Sequence, residues 1–285
     1  MLTIAQALRQ TRRVLQPHST TPALDAQTLL AALTHRPRGW LLAHLEARLS
    51  PRQYRRWQRA CAQLAQGVPL PYVIGRWWFY GREFAVSPAV LIPRPESETL
   101  VTHALAWLQA HPGRVRAADV GTGSGILAVT LAAEQPRLRV MATDLSLPAL
   151  ALMRVNAWQH RVAARVHGVL TDLLRACRGP FDLIVANLPY IPHEALPDLA
   201  VSRYEPHLAL DGGPDGLRLV RALLAQARTR LAPGGLLLLE IAADQGEKAR
   251  GLAAEAFPQA EIALHPDLAG RPRVVAVQQP PAAQR

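Results

Sequence analysis

Lysine is almost missing from this chain: of its 32 basic residues only Lys248 is one, and the rest are arginine. Cysteine is nearly as scarce. Cys61 and Cys177 stand far apart without metal-ligand spacing, which excludes a disulfide-stapled scaffold and fits a reducing, cytoplasmic compartment. The ten histidines include no H-x-x-x-H pair, so no metal site is indicated. No apolar run approaches the roughly 20 residues that span a bilayer, and the mean hydropathy of +0.04 is that of a chain without membrane segments. An apolar signal core is also lacking. The basic N-terminal stretch, free of acids until Asp25, reads either as an organelle presequence or as an amphipathic helix of a first domain. The net charge of +11 invites a nucleic-acid partner. Yet the arginines run along the whole chain, without the blocks or aromatic interleaving of a strand-binding groove. No direct nucleic-acid substrate is expected, and the charge is left to help dock an acidic or RNA-bound partner.

What is present is enough for a core: 49% of the 285 residues are hydrophobic, which suits one large domain or a moderate one with a small companion. The first part reads as helical. Ile4, Leu8 and Leu15 with Ala5 and Ala7 give one apolar face, Thr21-Pro22 starts a helix through Leu33, and Ser50-Pro51 starts another that Gly67 closes. Residues 72–86 are aromatic and strand-like, with turns at Gly75 and Gly81. Ser97 is placed to cap a helix running to Leu108, which His111-Pro112-Gly113 ends. From Arg114 onward strands and helices alternate, with strands expected at 115–120, 139–143, 165–169, 181–186 and 236–241. A tight turn at Pro233-Gly234-Gly235 precedes the last of these. Segments 261–264 and 273–277 lie too close for a crossover helix, so they predict an antiparallel hairpin at the sheet edge.

Two loops carry the chemistry. Asp119-Val120-Gly121-Thr122-Gly123-Ser124-Gly125 joins a strand to a helical run in G-x-G-x-G spacing, not the G-x-G-x-x-G of dinucleotide sites. Alternate glycines let the backbone turn sharply and approach a ligand. The next strand ends in Asp144, 23 residues beyond Gly121, where a carboxylate can accept both hydroxyls of a ribose. Asn187-Leu188-Pro189-Tyr190 follows the apolar strand 181–186, at the strand end where open α/β sheets place ligands. An amide, a stiff proline and a flat aromatic wall suit a planar –NH2 group, as in an amide or an aminopurine. As a bare loop the tetrapeptide would serve equally as strand-ending turn chemistry. Together with the glycine loop it describes a nucleoside-cofactor site.

These residues carry a family resemblance. The chain resembles the glutamine-N5 methyltransferases that modify peptide chain release factors, the HemK/PrmC family, over nearly its whole length. The match runs through Pro69-Leu70-Pro71-Tyr72-Val73-Ile74-Gly75, Phe79-Tyr80-Gly81 and Leu91-Ile92-Pro93-Arg94-Pro95-Glu96. It continues through Asp119 to Gly125, the Asn187 tetrapeptide, Tyr204-Glu205-Pro206, Ala209-Leu210, Gly212-Gly213 and Asp215-Gly216-Leu217, then Glu240-Ile241 and Gln245. The family usually has proline where this chain has Leu188. The resemblance implies an α/β fold: a seven-stranded class I (Rossmann-like) methyltransferase sheet with a small N-terminal helical domain. The expected division is a helical substrate-recognition domain at 1–70, a linking β segment at 71–95, the methyltransferase domain at 96–278, and a disordered tail at 279–285.

The resemblance also implies the cofactor, S-adenosyl-L-methionine, and the partners, class I release factors methylated in their Gly-Gly-Gln loop. Gly121, Thr122, Gly123, Ser124 and Gly125 would pass along the methionine and ribose of the cofactor, and Asp144 would hold the ribose. Asp172 would meet the adenine amino edge with Leu173 packed on the ring. The Asn187 side-chain oxygen and the Leu188 main-chain carbonyl would grip the two hydrogens of the substrate amide, with Pro189 and Tyr190 walling it. Arg94 and Glu96 either shape the cofactor pocket or pair as ions. Glu205 and the loop 211–216 either cover the substrate or serve as turn and helix cap. The cluster from Trp77 to Tyr80 reads as core between domains rather than a stacking platform. Three rivals remain open: a ribosomal-protein glutamine methyltransferase, an adenine-N6 methyltransferase on DNA or RNA, and a nicotinamide enzyme or degenerate nucleotide binder. Ile92-Pro93-Arg94-Pro95-Glu96, the helical first domain, the glycine spacing and the intact Asn187, Pro189 and Tyr190 argue against them in turn.

Overall fold

The computed structural model describes residues 2–282, which divide into two compact units between Trp77 and Trp78. The first unit holds α1 (Ile4–Leu15), α2 (Pro22–Thr34), α3 (Arg38–Ala43), α4 (Pro51–Ala65) and α5 (Leu70–Ile74). Capping boxes open α1 and α4: Thr3 pairs reciprocally with Gln6, and Ser50 with Gln53. Thr21 makes no side-chain cap, so the start of α2 rests on Pro22 in its first turn. Ile4, Leu15, Leu29, Leu30, Leu41, Trp57 and Leu64 form the core of this unit. The Trp57 indole donates to Thr11 Oγ1 at 2.9 Å, and that hydroxyl returns its proton to the Ala7 carbonyl. Residues 70–74 are helical, not strand-like. Pro71 fits a first helical turn and Gly75, at φ 78°, terminates it in the left-handed conformation. Acids are rare here: in residues 2–77 Asp25 and Glu46 face eleven arginines.

β1 (Arg76–Phe79) spans the division and pairs with β2 (Arg82–Ala85). Residues 71–77 thus belong with the helices and 78–95 with the second unit. Trp77 packs on the helical core, whereas Phe79 meets Phe84 edge-on in the core of the second unit, and Trp78 is exposed. A 3-10 turn, Pro95–Ser97, leads directly into α6 (Glu98–Ala110). Then follow β3 (Arg116–Val120), α7 (Ile126–Glu134), β4 (Arg139–Asp144), α8 (Leu147–Gln159), β5 (Val166–Leu170) and β6 (Phe181–Ala186). α9 (Arg218–Ala227), β7 (Leu231–Glu240), α10 (Gly246–Ala256), β8 (Glu261–Pro266) and β9 (Pro272–Gln278) complete it.

The seven strands run in the order β5-β4-β3-β6-β7-β9-β8, parallel except for β9, which pairs antiparallel with both β7 and β8 and forms the edge hairpin with β8. Alternation along the strands builds two core layers. Ala117, Leu183 and Val185 face α6, α7 and α8, while Ala118, Ile184 and Ala186 face α9 and α10. Pro233, Gly234 and Gly235 lie inside β7, where its register against β6 shifts, instead of forming a separate turn before it. The tail expected from 279 begins with two bonded residues: Gln279 N–H donates to the Gly235 carbonyl, and the Pro280 carbonyl accepts from Gly234. Residues 283–285 of that tail lie outside the described residues. Among the described residues no helix is long and apolar enough to cross a membrane.

Candidate active site

The chain leaves β3 in opposite directions: β4 and β5 lie on one side, β6 and β7 on the other. Such a switch point opens a crevice beyond the carboxyl ends of the strands. Register puts the three chemical loops level there, because Val120 pairs with Thr143 on one side and Ala186 on the other. The residues that follow are Gly121, Asp144 and Asn187. They line a pocket of about 590 Å³ together with Thr122, Gly123, Ser124, Asp172, Leu173, Leu188 and Pro189. That volume is in the range of small-molecule sites, roughly 300–1,000 Å³.

The glycine loop is held from below by Asp119. Its carboxylate is fully buried, and Oδ2 accepts from Thr122 Oγ1 at 2.6 Å and from Ala128 N–H at 3.0 Å. Burial raises its pKa to about 6; the two hydrogen bonds pull it back, and the Asp144 charge adds to the rise. The three glycines have positive φ for different ends. A side chain at Gly121 would come 3.0 Å from Leu188 Cδ2, one at Gly123 would stand in open space, and one at Gly125 would be 2.6 Å from Met153 Cγ. Gly125 therefore faces α8 and not the pocket, so here it is a packing glycine. Asn156 of α8, wholly buried, ties this loop to β2 by donating to the carbonyls of Ser124 and Ala85 and accepting from Ala85 N–H. Nothing local in the sequence signals that role.

Asp144 accepts from Gly123 N–H at 2.9 Å and Ser146 N–H at 2.8 Å. A carboxylate has about four lone-pair sites, so about two stay available for a diol. Asp172 is exposed at the rim, and Leu173, at φ 51°, is buried beside it on the pocket wall. Leucine at this position is a wall without a stacking ring.

At the tip of β6, Asn187 Nδ2 donates to Ser97 Oγ at 2.8 Å, and Ser97 Oγ donates to Glu240 Oε2 at 2.6 Å. Ser97 makes no side-chain cap for α6; its hydroxyl is spent on this chain. Asn187 Oδ1 and the Leu188 carbonyl accept no hydrogen bond among the described residues. Leu188 is buried, its side chain lying over Gly121. Tyr190 is not on the pocket lining; burial raises its pKa, and the neighbouring Glu240 charge adds to the rise.

Loop 211–216 braces the tetrapeptide from outside. Ile191 N–H donates to the Leu210 carbonyl and the Ile191 carbonyl accepts from Gly212 N–H, while the Tyr190 carbonyl accepts from Gln245 Nε2 at 2.9 Å. A Cβ on Gly216 would be 2.2 Å from the Tyr190 carbonyl oxygen, so glycine is required. Glu205, 4% exposed, takes Arg94 as its ion partner and accepts from Ile92 N–H at 3.0 Å, tying its loop to the segment that roofs the pocket. Arg94 therefore both lines the pocket and pairs as an ion, with Glu205 and not with the exposed Glu96.

A parallel sheet with a terminal antiparallel hairpin, a glycine loop at its switch point and an acid at the next strand tip define an S-adenosylmethionine-dependent methyltransferase. The available Asp144 acceptors and the open space over Gly123 fit the ribose end of that cofactor. Residues 6–75 match the family model of the PrmC N-terminal domain, and residues 98–203 that of the methyltransferase small domain. The chain is 44% identical to the release factor glutamine methyltransferase of Moorella thermoacetica over 275 residues, covering 95% of this chain and 97% of that one. It is 42% identical to the release factor glutamine methyltransferase of Cereibacter sphaeroides, over 91% of this chain and 92% of that one. The 16S rRNA N2 G1207 methyltransferase of T. thermophilus, solved with AdoMet and guanosine, shares the fold: TM-score 0.51, 19% identity, 72% of this chain and 49% of that one. The chain belongs to the release factor glutamine methyltransferase family.

Proposed function

We propose that this enzyme methylates the side-chain amide nitrogen (N5) of the glutamine in the Gly-Gly-Gln loop of class I peptide chain release factors, in the cytoplasm. The observation that carries the reading is the pair of unengaged acceptors at the strand tip, Asn187 Oδ1 and the Leu188 carbonyl, on two residues that line the pocket. An amide nitrogen is a poor nucleophile because its lone pair is delocalised into the carbonyl. Two acceptors that grip its two hydrogens orient the nitrogen and turn the lone pair toward the pocket. Asp144 would hold the ribose of S-adenosylmethionine, Asp172 and Leu173 its adenine edge, and the glycine loop from Gly121 to Ser124 its methionine; when bound there the cofactor would supply an electrophilic methyl on a sulfonium. The nitrogen held by Asn187 and Leu188 would take that methyl, leaving the S–C pair on sulfur and giving its surplus proton to solvent. Positioning and fixed dipoles do the work, and no strong base is required.

A glutamate side chain would be rejected, because its carboxylate would meet two acceptors with no hydrogen to give. Pro189 keeps the loop stiff, and Tyr190, off the lining of the cofactor pocket, is left to wall the glutamine side chain and not the cofactor. The helical unit, basic and short of acids, serves as the recognition domain for the release factor. The test is transfer of labelled methyl to a purified class I release factor with its loop glutamine intact or changed to alanine, with ribosomal protein and duplex DNA in parallel. Label on the factor that vanishes with the glutamine is the expected result. Label on DNA or ribosomal protein alone overturns the reading.

A further inference from the structure

Glu240 and Ser97 are separated from Asn187 in sequence but meet it beneath the pocket floor, and the chemistry of their contact is directional. A carboxylate only accepts, so the single Ser97 hydrogen goes to Glu240 Oε2, as its 2.6 Å contact has it. The Ser97 oxygen is left with lone pairs alone on its other side. Only the –NH2 end of Asn187 can bond to it, at 2.8 Å. Flipping the amide would set Oδ1 against an oxygen whose proton is already engaged, and would turn two N–H donors toward the –NH2 of the substrate amide. We propose that Ser97 and Glu240 are positioning residues that lock the Asn187 side chain with Oδ1 toward the substrate amide. This rests on the reading of Asn187 as an acceptor given above.

The surroundings fit a lock better than a simple structural tie. Ser97 is fully buried and Glu240 is 2% exposed, so water does not compete for either contact. The serine stands at the N-cap of α6 yet leaves that helix uncapped. Glu240 Oε1 has no partner among the described residues, so the carboxylate is kept in the core at a cost that a neutral residue would avoid. Burial raises the Glu240 pKa to about 7, while the Ser97 hydroxyl, Arg273 of β9 and the Asn187 amide pull it down and Glu96 pushes it up. Tyr190 feels the same charge, which helps to raise its own pKa. Once protonated, Glu240 can donate to Ser97, the chain can reverse, and the Asn187 amide loses its preferred orientation. The lock is therefore set above neutrality and relaxes below it.

The experiment is steady-state methyl transfer to a release factor, with S-adenosylmethionine affinity measured for each variant. Ser97→Ala should lower kcat between about tenfold and a hundredfold, the range of one lost hydrogen bond to a charged partner, with cofactor Kd unchanged. Ser97→Thr, which keeps the hydroxyl, should restore most of it. In the wild type kcat should rise with pH through about 7 as Glu240 ionises. Glu240→Gln, whose amide can bond Ser97 in either sense, should lower kcat and flatten that rise. Adding Ser97→Ala to Asn187→Ala should cost nothing more. Full turnover and an unchanged pH profile in both Ser97→Ala and Glu240→Gln would overturn the lock while leaving the acceptor role of Asn187 intact. Full turnover in Asn187→Ala would instead overturn the acceptor reading itself. If Ser97→Ala loses cofactor binding, the near-isosteric Glu240→Gln decides through its pH profile.

Discussion

Folding stability should depend on pH through Asp119. Its carboxyl is fully buried and its pKa is raised from 3.8 to about 6. Below pH 3.8 the group is neutral whether the chain is folded or not. Between these values the unfolded chain releases the proton and the folded chain retains it, so folding stability falls as pH rises. Above pH 6 the loss is complete and amounts to about 3 kcal/mol, from about 1.4 kcal/mol for each pH unit of difference. Asp119→Asn removes the titration. The variant keeps an oxygen for Thr122 and Ala128 but places an –NH2 where Oδ1 has no partner, an offset of about 1–3 kcal/mol that does not vary with pH. Urea unfolding of both proteins at pH 4, 5, 6, 7 and 8, without cofactor, separates the two effects. The variant should be the less stable protein at pH 4 and gain about 3 kcal/mol on the wild type by pH 8. Parallel stability curves would show that Asp119 ionises freely in the fold and would refute the reasoning.

Other outcomes follow from the same geometry. Asn187→Ala should bind S-adenosylmethionine as the wild type does but lose about 10²–10³ in kcat, the size of one removed transition-state hydrogen bond; isothermal titration and turnover assays check the two halves. Leu188→Pro retains the main-chain carbonyl acceptor and restores what the family usually carries, so kcat should stay within about threefold of wild type, a difference below 1 kcal/mol. Gly216→Ala would drive a Cβ into the Tyr190 carbonyl at positive φ. It should cost more than about 1 kcal/mol of stability and reduce turnover through the displaced tetrapeptide, as thermal unfolding and kinetics would report. Arg55→Glu with Arg59→Glu on the exposed face of α4 should raise KM for the release factor and change its salt dependence while cofactor Kd stays constant.

Much of the sheet could be read from the chain because strands of this kind are short apolar runs ended by recognisable loops. Residues 181–186 coincide with β6, and the glycine loop, Asp144 and Asn187 come to one pocket because register aligns three neighbouring strand ends. Helix α5 is not legible in the sequence because its aromatic and β-branched residues carry a strand signal, which Pro71 and the Gly75 cap override. Ser97 had the ordinary look of an N-cap. Its hydroxyl goes elsewhere because the fold brings Glu240, 143 residues away, within reach, and a buried carboxylate is the stronger acceptor. Asn156 and the Arg94–Glu205 pair were hidden for the same reason: their partners are set by topology and not by spacing.

Charge shows how a count along the chain can mislead. Arginines are spread throughout, which argues against a nucleic-acid groove, but the acids are not spread. Of the 21 acids only Asp25 and Glu46 fall in residues 2–77, so the excess of basic charge belongs almost wholly to the helical unit. Arg52, Arg55, Arg56 and Arg59 recur at i, i+3, i+4 and i+7 along α4, all exposed, while Trp57, Ala60 and Leu64 of the same helix are buried. Like charges at that spacing repel, each pair costing a few tenths of a kcal/mol or about that. The capping box and the buried tryptophan hold α4 in spite of this. A helix kept against its own electrostatics is relieved when an acidic surface neutralises the stripe, so binding there gains from the repulsion that folding had to overcome. The face proposed for recognition is legible once the missing residue type, and not the abundant one, is followed along the sequence.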